Sequence, residues 1–364
     1  MKVTAVKATS HSIPVHLPLL KEPETEGCIC IRVETDEGIT GIGFFSGRQN
    51  RKAARDLVNN VVGPYVVGKN PIDTEAIMQG FIKRFDMRNT VGMMTHAMSG
   101  IDIALWDIKG KALKKPVYEL LGGYSARVPV YATFGVIGYS KEQLVEAAKI
   151  RIAEGHDKLK MVVCIEDSNN IPEDAARVAA LRKGVGDGIQ LMFDANQKFN
   201  LLQASELCRL VEQYNIRWFE EPLTHNEPSE MRILRSRTRI PLAAGQAWEY
   251  AWQSLKYMEG RALDISQTDV AVVGGFTEGI KVAHLAQAFD LPLASHGWPA
   301  INMHLVAATP IGWRVEFHAS QEELGKVIFT NQPKPEKGWA TCYDTPGLGL
   351  ELNEDNLKKS QDKD

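Results

Sequence analysis

Three oxygen-bearing side chains recur at equal intervals in the middle of the chain. Asp194, Glu220 and Gln246 are separated by 26 residues each time, and each follows a short apolar run of the kind that forms a strand. One strand–helix unit of a closed parallel barrel takes about this length, since about 250 residues are shared among eight units. The spacing therefore predicts that the three side chains stand at the C-terminal ends of successive parallel strands, the rim where such barrels carry their chemistry.

The rest of the chain extends this pattern in both directions. Amphipathic stretches with helical spacing separate most of the apolar runs, so strands and helices alternate, and eight parallel strands with crossover helices predict a closed barrel. The apolar runs that predict strands lie at 128–134, 158–164, 189–193, 217–219, 240–244, 263–267, 291–294 and 313–317.

The first part of the chain has a different pattern. Residues 1–47 are predicted to form a sheet with strands 3–10, 28–35 and 39–45, a turn at 36–38 and a mobile loop at 14–27, and helices follow. We expect an α+β domain over 1–122, a barrel over 123–320, and a Pro- and Gly-rich C-terminal segment over 321–364 that packs back on the first domain.

Composition excludes several kinds of partner. The net charge is -3 and no apolar run is long enough to span a bilayer, which argues against nucleic acid and membranes. The N-terminus alternates like a strand and lacks the apolar stretch of a signal peptide, so we expect a cytoplasmic protein. The five cysteines are scattered and are expected to be reduced and mostly buried. Self-association into a homo-oligomer is expected on general grounds.

Two carboxylates and an amide at one rim indicate a hard divalent cation, with Mg²⁺ as the first choice. The alternative is three unrelated polar residues, each satisfied locally. A second pair stands further along: His296 follows LPLAS, and Asp269 lies 27 residues earlier at the end of the preceding strand run. Neighbouring strand ends place such a pair within hydrogen-bonding range, where a carboxylate fixes the imidazole tautomer and raises its basicity.

These segments resemble the enolase superfamily, in its mandelate racemase-like branch. The resemblance covers nearly the whole chain and is carried by HAMSGIDIALWDIKGKALKKPVYELLGG (96–123), FDANQ (193–197), WFEEP (218–222) and LPLASHGW (291–298). It implies a TIM-like barrel of the modified (β/α)7β kind, with a capping domain built from the N-terminus and the C-terminal tail. It also implies that a substrate carboxylate binds Mg²⁺ while a base removes the proton on the adjacent carbon.

The resemblance further implies a role for each matching residue. Asp194 and Glu220 correspond to the first two metal ligands, and His296 with Asp269 corresponds to the catalytic dyad. Glu316 corresponds to an acid that, when protonated, donates a hydrogen bond to the substrate; its alternative is an ionised glutamate paired with a lysine or arginine. Asn196 is a candidate for substrate binding, with a loop cap as its alternative. Glu221 is expected to be a hydrogen-bonded support behind the ligands rather than a ligand.

Two departures from the family pattern narrow the chemistry. The second strand normally carries Lys-x-Lys, which fits either Lys158 and Lys160 or Lys160 and Val162; parity cannot decide, because all three positions face one side of a strand. We favour the second register, in which Lys160 binds the substrate carboxylate and the second base is absent. Lys158 is a candidate for substrate binding, with a structural ion pair in the lower layer of the barrel as its alternative. The third ligand position holds Gln246 in place of Glu, which predicts weaker Mg²⁺ binding, and Glu249 is a less favoured substitute.

These features together predict an acid-sugar dehydratase that removes water from a small polyhydroxy carboxylate to give a 2-keto-3-deoxy acid. One alternative is a one-base racemase or epimerase. Another is a catalytically impaired homologue that only binds a small molecule. The absence of lysine from Tyr257 to Ile280 argues against the cycloisomerases and dipeptide epimerases of a related branch, which place a lysine at the end of the sixth strand.

Overall fold

The computed structural model describes residues 1–363, apart from the side chains of Arg48, Asp167 and Ser168. The strands are β1 (Val3–Val15), β2 (Glu24–Thr35), β3 (Thr40–Phe45), β4 (Arg127–Gly135), β5 (Lys158–Val162), β6 (Gln190–Asp194), β7 (Ile216–Glu220), β8 (Leu242–Ala244), β9 (Ile265–Ser266), β10 (Leu293–Ala294), β11 (Gly312–His318) and β12 (Trp339–Thr341). The helices are α1 (Arg51–Leu57), α2 (Gly63–Val66), α3 (Thr74–Phe85), α4 (Met93–Leu113), α5 (Val117–Leu121), α6 (Lys141–Ala153), α7 (Ile171–Val185), α8 (Leu201–Val211), α9 (Pro228–Arg237), α10 (Tyr250–Glu259), α11 (Val270–Val273), α12 (Gly275–Ala288), α13 (Pro299–Ala308), α14 (Ala319–Ile328) and α15 (Glu354–Ser360).

The N-terminal strands β1, β2 and β3 form an antiparallel sheet, as predicted. The loop expected over 14–27 is shorter than predicted, because β1 and β2 continue pairing as far as Val15 opposite Glu24. Buried side chains at alternate positions keep this extension on the sheet, which the proline and glutamate content had concealed. Only residues 16–23 remain as a connection between the two strands.

Helix α4 lies directly on this sheet. A Cβ atom added to Gly41 or Gly43 of β3 would collide with the carbonyl oxygens of Ala104 and Gly100 in the helix. The two glycines therefore permit a backbone approach that larger residues would prevent. The apolar face of α4 is buried between the sheet and the barrel helices α11 and α12.

The barrel has the predicted eight parallel strands, β4 to β11 in chain order, and β11 pairs with β4 to close it. Its register sets the site: Val162 pairs with Asp194, Asp194 with Glu220, and Glu220 with Ala243. An apolar layer inside the barrel includes Met192 and Trp218. Because side chains alternate along a strand, the residues two positions later, Asp194 and Glu220, also point inward, one layer nearer the C-terminal rim.

The C-terminal segment contacts both parts of the molecule. Helix α14, which follows the eighth barrel strand, contacts strands β1 and β2 of the N-terminal sheet as well as barrel strands β11 and β4, and α15 lies against β1. This is the arrangement expected of a (β/α)7β barrel with a cap that uses the C-terminal tail. Strand β12 departs from the expectation, since it pairs antiparallel with barrel strand β4.

Two further expectations concern the whole chain. All five cysteines are buried free thiols, as predicted. Within residues 1–363, no helix combines the length and the apolar character that crossing a membrane requires.

Candidate active site at the mouth of the barrel

The two carboxylates expected to bind metal converge on one point. Asp194 ends β6 and Glu220 ends β7, and both are almost fully buried. The ammonium group of Lys160 contacts Glu220 Oε1 and lies 3.5 Å from Asp194 Oδ2, so both carboxylates face the same small volume. Burial and, next, the charge of Glu220 raise the pKa of Asp194 well above its usual range. The volume between the carboxylates is thus electrostatically suited to a cation.

The third expected ligand, Gln246, follows β8 by two residues. Its Oε1 atom is buried and has no hydrogen-bond partner among the described residues. A buried carbonyl oxygen without a partner is costly, and cation coordination is one way to satisfy it. Within the described part of the chain, no group of three or more His, Cys, Asp or Glu side chains is arranged to hold a metal ion. The candidate donor set remains the two carboxylates and the amide oxygen of Gln246, a set with one ligand charge fewer than three carboxylates would provide.

A second layer holds this set in place. Glu220 Oε2 accepts hydrogen bonds from Trp218 Nε1 at 3.0 Å and from Gln267 Nε2 at 2.6 Å. Asp194 Oδ1 accepts one from the backbone N–H of Asn196 at 2.7 Å. Sequence reasoning did not identify Gln267, because nothing in its own segment signals that an amide at the end of β9 reaches two strands across the barrel.

Glu221 has the supporting position expected for it. Its carboxylate accepts hydrogen bonds from the backbone N–H groups of Gly245 at 2.8 Å and Gln246 at 3.2 Å, and from Gln197 Nε2 at 2.6 Å and Asn226 Nδ2. These contacts tie the turn after β7 to the turn after β8. Glu221 therefore positions the backbone that carries Gln246. Glu249, the possible substitute ligand, is bonded instead to the backbone N–H of Gly92.

The register of β5 separates the two lysines by depth. Lys158 begins the strand opposite Gln190, at the N-terminal end of the barrel, and its ammonium group is paired with Asp157. The role in substrate binding expected for Lys158 is therefore wrong, because its side chain lies at the opposite end from the rim. Lys160 lies in the barrel interior, and Val162 is level with Asp194. In this register Lys160 and Val162 occupy the two positions of the Lys-x-Lys pattern, and no lysine follows Lys160 at the rim.

Lys160 is surrounded by carboxylates. Besides its contacts with Glu220 and Asp194, its Nζ lies 2.9 Å from Glu316 Oε1. Burial lowers the pKa of Lys160, but the charges of Glu220 and Glu316 outweigh burial and hold the pKa above its usual value. Lys160 is thus a fixed positive charge beneath the site.

The surroundings of Glu316 favour its ionised form. Burial favours its neutral form, but the charges of Lys160, His296 and His318 lower its pKa below the usual value. Its carboxylate accepts hydrogen bonds from the backbone N–H of Gly297 at 2.7 Å and from the hydroxyl of Thr133. The contact with Lys160 therefore favours the alternative expectation for Glu316, an ionised glutamate paired with a lysine, over the protonated hydrogen-bond donor.

His296 and Asp269 are in contact, as their positions at adjacent strand ends predict. His296 Nδ1 lies 3.1 Å from Asp269 Oδ2. Asp269 Oδ1 is held by the backbone N–H of Ala271 at 2.9 Å and by Asn302 Nδ2 at 2.9 Å. The same Asn302 amide donates to the carbonyl oxygen of His296 at 3.0 Å. Asn302, which sequence reasoning missed, therefore fixes both members of the pair from helix α13.

The surroundings favour the charged imidazole. Burial lowers the pKa of His296, but the hydrogen bond with Asp269 and the charges of Glu316 and Asp269 outweigh it and raise the pKa to about 9. With Nδ1 engaged by Asp269, the exchangeable proton is on Nε2.

A cavity of about 630 Å³ opens above these groups, between the barrel rim and the N-terminal sheet domain. His296, Asp269, Gln246 and Asn196 line its barrel side. Its other side is formed from the N-terminal part of the chain, including Glu26, Ser46, Asn50, Met93 and His96. The cavity therefore brings the histidine dyad and Gln246 together, and residues from both parts of the molecule line it.

Comparison with known families identifies the class to which such a capped barrel belongs. The family described as "Enolase C-terminal domain-like" matches residues 143–356, and the one described as "Mandelate racemase / muconate lactonizing enzyme, N-terminal domain" matches residues 1–122. The chain belongs to the enolase superfamily, in the group of mandelate racemase and muconate lactonizing enzyme.

Similar proteins of this group act on acid sugars according to their names. Arabinonate dehydratase of Saccharolobus solfataricus is 29% identical over 336 residues, which cover 90% of this chain and 88% of that protein. The 3,6-anhydro-alpha-L-galactonate cycloisomerase of Streptomyces coelicolor is 29% identical over 364 residues, 98% of each chain.

Solved structures show the same fold. A racemase from Streptomyces coelicolor with bound magnesium superposes with a TM-score of 0.92 at 27% identity, covering 99% of this chain and 100% of that one. L-Talarate dehydratase from a Polaromonas species, complexed with Mg and L-glucarate, superposes with a TM-score of 0.89 at 28% identity, covering 100% of this chain and 98% of that one.

Proposed function

We propose that the protein is a Mg²⁺-dependent dehydratase of an acid sugar. The observation that carries this proposal is the pairing of His296 with Asp269 in the cavity that Gln246 also lines, above the converging carboxylates of Asp194 and Glu220. Relatives named as arabinonate and galactonate dehydratases support the substrate class.

The metal would be held by the side chains of Asp194 and Glu220 and by the amide oxygen of Gln246. When bound, it would offset the negative charge that develops on a substrate carboxylate as the proton on the adjacent carbon leaves. Lys160 adds a fixed positive charge next to Glu316 and Glu220. An anionic substrate group is therefore expected to be oriented on this side of the cavity.

His296 performs the proton transfers. Its neutral form takes the proton from the carbon beside the carboxylate onto Nε2, and Asp269 stabilises the imidazolium that results. The electrons of the broken C–H bond form a carbon–carbon double bond as the C–O bond on the next carbon breaks. The proton on Nε2 then passes to the departing hydroxyl group, which leaves as water, and the enol product tautomerises to a 2-keto-3-deoxy acid.

The second face of the substrate has no matching base on β5. Val162 occupies the position level with Asp194, and a valine cannot exchange a proton. Two-base racemisation is therefore disfavoured. A one-base epimerase would still exchange the α-proton with solvent deuterium without losing water, which distinguishes it from a dehydratase.

A cycloisomerase is the second candidate, because relatives with that name match at 29–30% identity over at least 98% of this chain. The absence of lysine from Tyr257 to Ile280 argues only against the cycloisomerases of the related branch, which use a lysine at the end of the sixth strand; the steps proposed here use His296 instead. A cycloisomerase removes the α-proton and breaks the C–O bond on the next carbon, as a dehydratase does. In a cyclic substrate the oxygen of that broken bond stays attached to the molecule through its other bond. The product then has the mass of the substrate, whereas dehydration lowers the mass by one water.

The test is a panel of mono- and diacid sugars incubated with the protein and Mg²⁺, with mass spectrometry of the products. We expect loss of one water from at least one acid and formation of a 2-keto-3-deoxy product. The His296→Asn variant keeps a donor towards Asp269 but lacks Nε2, and it should be inactive. His284→Asn, at an exposed position of α12, is the matched control and should retain full activity.

Two results would overturn the proposal. One is full activity of His296→Asn on a confirmed acid sugar, which would remove His296 from the mechanism. The other is no turnover of any acid sugar together with no Mg²⁺ binding in calorimetry, which would favour a homologue that only binds a small molecule.

A further inference from the structure

A second imidazole faces the cavity and has no part in the proton transfers described above. His318 ends β11, two residues after Glu316, and lines the cavity together with His296. Among the described residues its Nε2 atom has no hydrogen-bond partner, and it is not among the buried atoms that lack one, so this nitrogen is accessible from the cavity.

The other ring nitrogen is held by the start of helix α14. His318 Nδ1 lies 3.3 Å from the backbone nitrogen of Ser320, in the position of a helix cap. A backbone N–H can only donate and cannot rotate away, so this contact favours the tautomer in which Nδ1 accepts and the ring proton is on Nε2. Burial lowers the pKa of His318, which agrees with a neutral ring.

The serine that holds His318 is itself bonded to the N-terminal sheet. Ser320 Oγ lies within hydrogen-bonding distance of Glu26 Oε1 and 3.0 Å from His318 Nδ1, so its single rotatable proton can go to either acceptor. Glu26 belongs to β2, so a residue of the sheet domain and two residues of the barrel domain meet at this wall of the cavity. Glu26 and Ser320 are positioning residues for the ring.

The place of His318 along β11 indicates what it can contact. Residues two apart on a strand face the same side and are separated by about 7 Å. A carboxylate oriented by Lys160, beside Glu316, would leave the far part of a polyol chain near His318 rather than the reacting carbons. A neutral imidazole N–H suits a hydroxyl oxygen there, because it donates without adding charge.

We propose that His318 Nε2–H is a hydrogen-bond donor to a distal hydroxyl oxygen of the acid sugar, in a subsite that Ser320 and Glu26 complete. The ligand named in this inference rests on the proposed function, whereas the tautomer of His318 is independent of that function. It makes His318 a binding residue that measures chain length, while His296 carries out the proton transfers.

The tautomer is tested on the protein without substrate. Ring nitrogens are labelled with ¹⁵N, and the signal of His318 is assigned by its loss in His318→Asn. We expect the bonded proton on Nε2 and a bare Nδ1 at neutral pH. A proton on Nδ1, donated to Ser320 Oγ, would overturn the inference, because Nε2 would then be an acceptor.

Kinetics with two variants test the contact. Asn is a good helix cap, so His318→Asn keeps an acceptor for the Ser320 N–H and should preserve thermal stability while losing the donor. We expect kcat/KM for the best acid sugar to fall by about tenfold, the effect of one hydrogen bond. His318→Gln places an amide N–H near the Nε2 position and should recover part of the loss.

The length of the substrate distinguishes a role of His318 in substrate binding from a purely structural role. For an acid sugar shortened so that it lacks the distal hydroxyl, wild type and His318→Asn should have equal kcat/KM. Equal loss on long and short substrates, or no loss on either, would overturn the inference while leaving the dehydratase proposal intact. If wild type turns over no acid sugar, the dehydratase proposal and the assignment of a sugar hydroxyl to this subsite both fail.

Discussion

Replacing Asp269 by Asn should change the acid–base behaviour of His296 by a measurable amount. The ordinary pKa of histidine is 6.5 and the pKa of His296 is raised to about 9, a difference of about 2.5. Since one pKa unit corresponds to about 1.4 kcal/mol, its neighbours favour the charged imidazole by about 3 kcal/mol. Asp269, 3.1 Å away, supplies the hydrogen bond and part of the charge, so Asp269→Asn should lower the pKa by about two units.

The measurement is an NMR titration of the imidazole signals in the presence of a metal chelator. The chain has nine histidines, so the signal of His296 is assigned by its loss in His296→Asn. Asn302→Ser is a useful comparison, because it disturbs the support of Asp269 and keeps its charge. Equal pKa values in wild type and Asp269→Asn, or a wild-type pKa below 7, would refute the assignment of Asp269 as the group that raises it.

The raised pKa of His296 also predicts how the stability of the protein depends on pH. The pKa of His296 is higher in the folded protein than in the unfolded chain, so its contribution is fully present below about pH 6.5 and is lost as the pH rises through about 9. The free energy of unfolding of wild type relative to His296→Asn should therefore fall by up to about 3 kcal/mol between pH 6 and pH 10. Urea unfolding of both proteins across this range measures it, and a difference that is independent of pH would contradict the coupling.

Three further substitutions test the rest of the site. Gln246→Glu restores a third carboxylate and should tighten Mg²⁺ binding by about tenfold or more in calorimetry, whereas unchanged affinity would exclude position 246 as a ligand. Lys160→Met leaves buried carboxylates without their partner and should destabilise the fold by about 3–5 kcal/mol in urea unfolding. Lys158→Met breaks a more exposed ion pair and should cost under about 1 kcal/mol. Similar losses for the two variants would contradict the different depths assigned to these lysines in the barrel. Asn302→Ala should cost about 1–3 kcal/mol and lower kcat much more than it raises KM, because it releases the histidine dyad; an effect on KM alone would count against that positioning role.

The alternation of strands and helices was enough to predict the barrel from the sequence. A period-2 pattern fixes which side chains face inward, and equal spacing places Asp194, Glu220 and Gln246 at one rim, because parallel strands all end on the same side. The pairing of His296 with Asp269 followed from the same rule applied to neighbouring strands. The N-terminal loop was overestimated, because local composition does not report that Val15 and Glu24 pair across the sheet.

Local patterns alone could not fix depth within the barrel, protonation states or contacts between distant segments. Lys158, Lys160 and Val162 have the same parity, and only the pairing of β5 with β6 shows that Lys158 lies at the far end. The ionised state of Glu316 depends on charges from other strands. Gln267, Asn302 and His318 gained their roles from partners far away in sequence or from a cavity wall, and such contacts exist only after the chain has closed on itself. The sequence determined which residues reach the rim, because local periodicity sets direction; the tertiary structure decided what each of them meets there, because electrostatics and hydrogen bonding depend on distance in space.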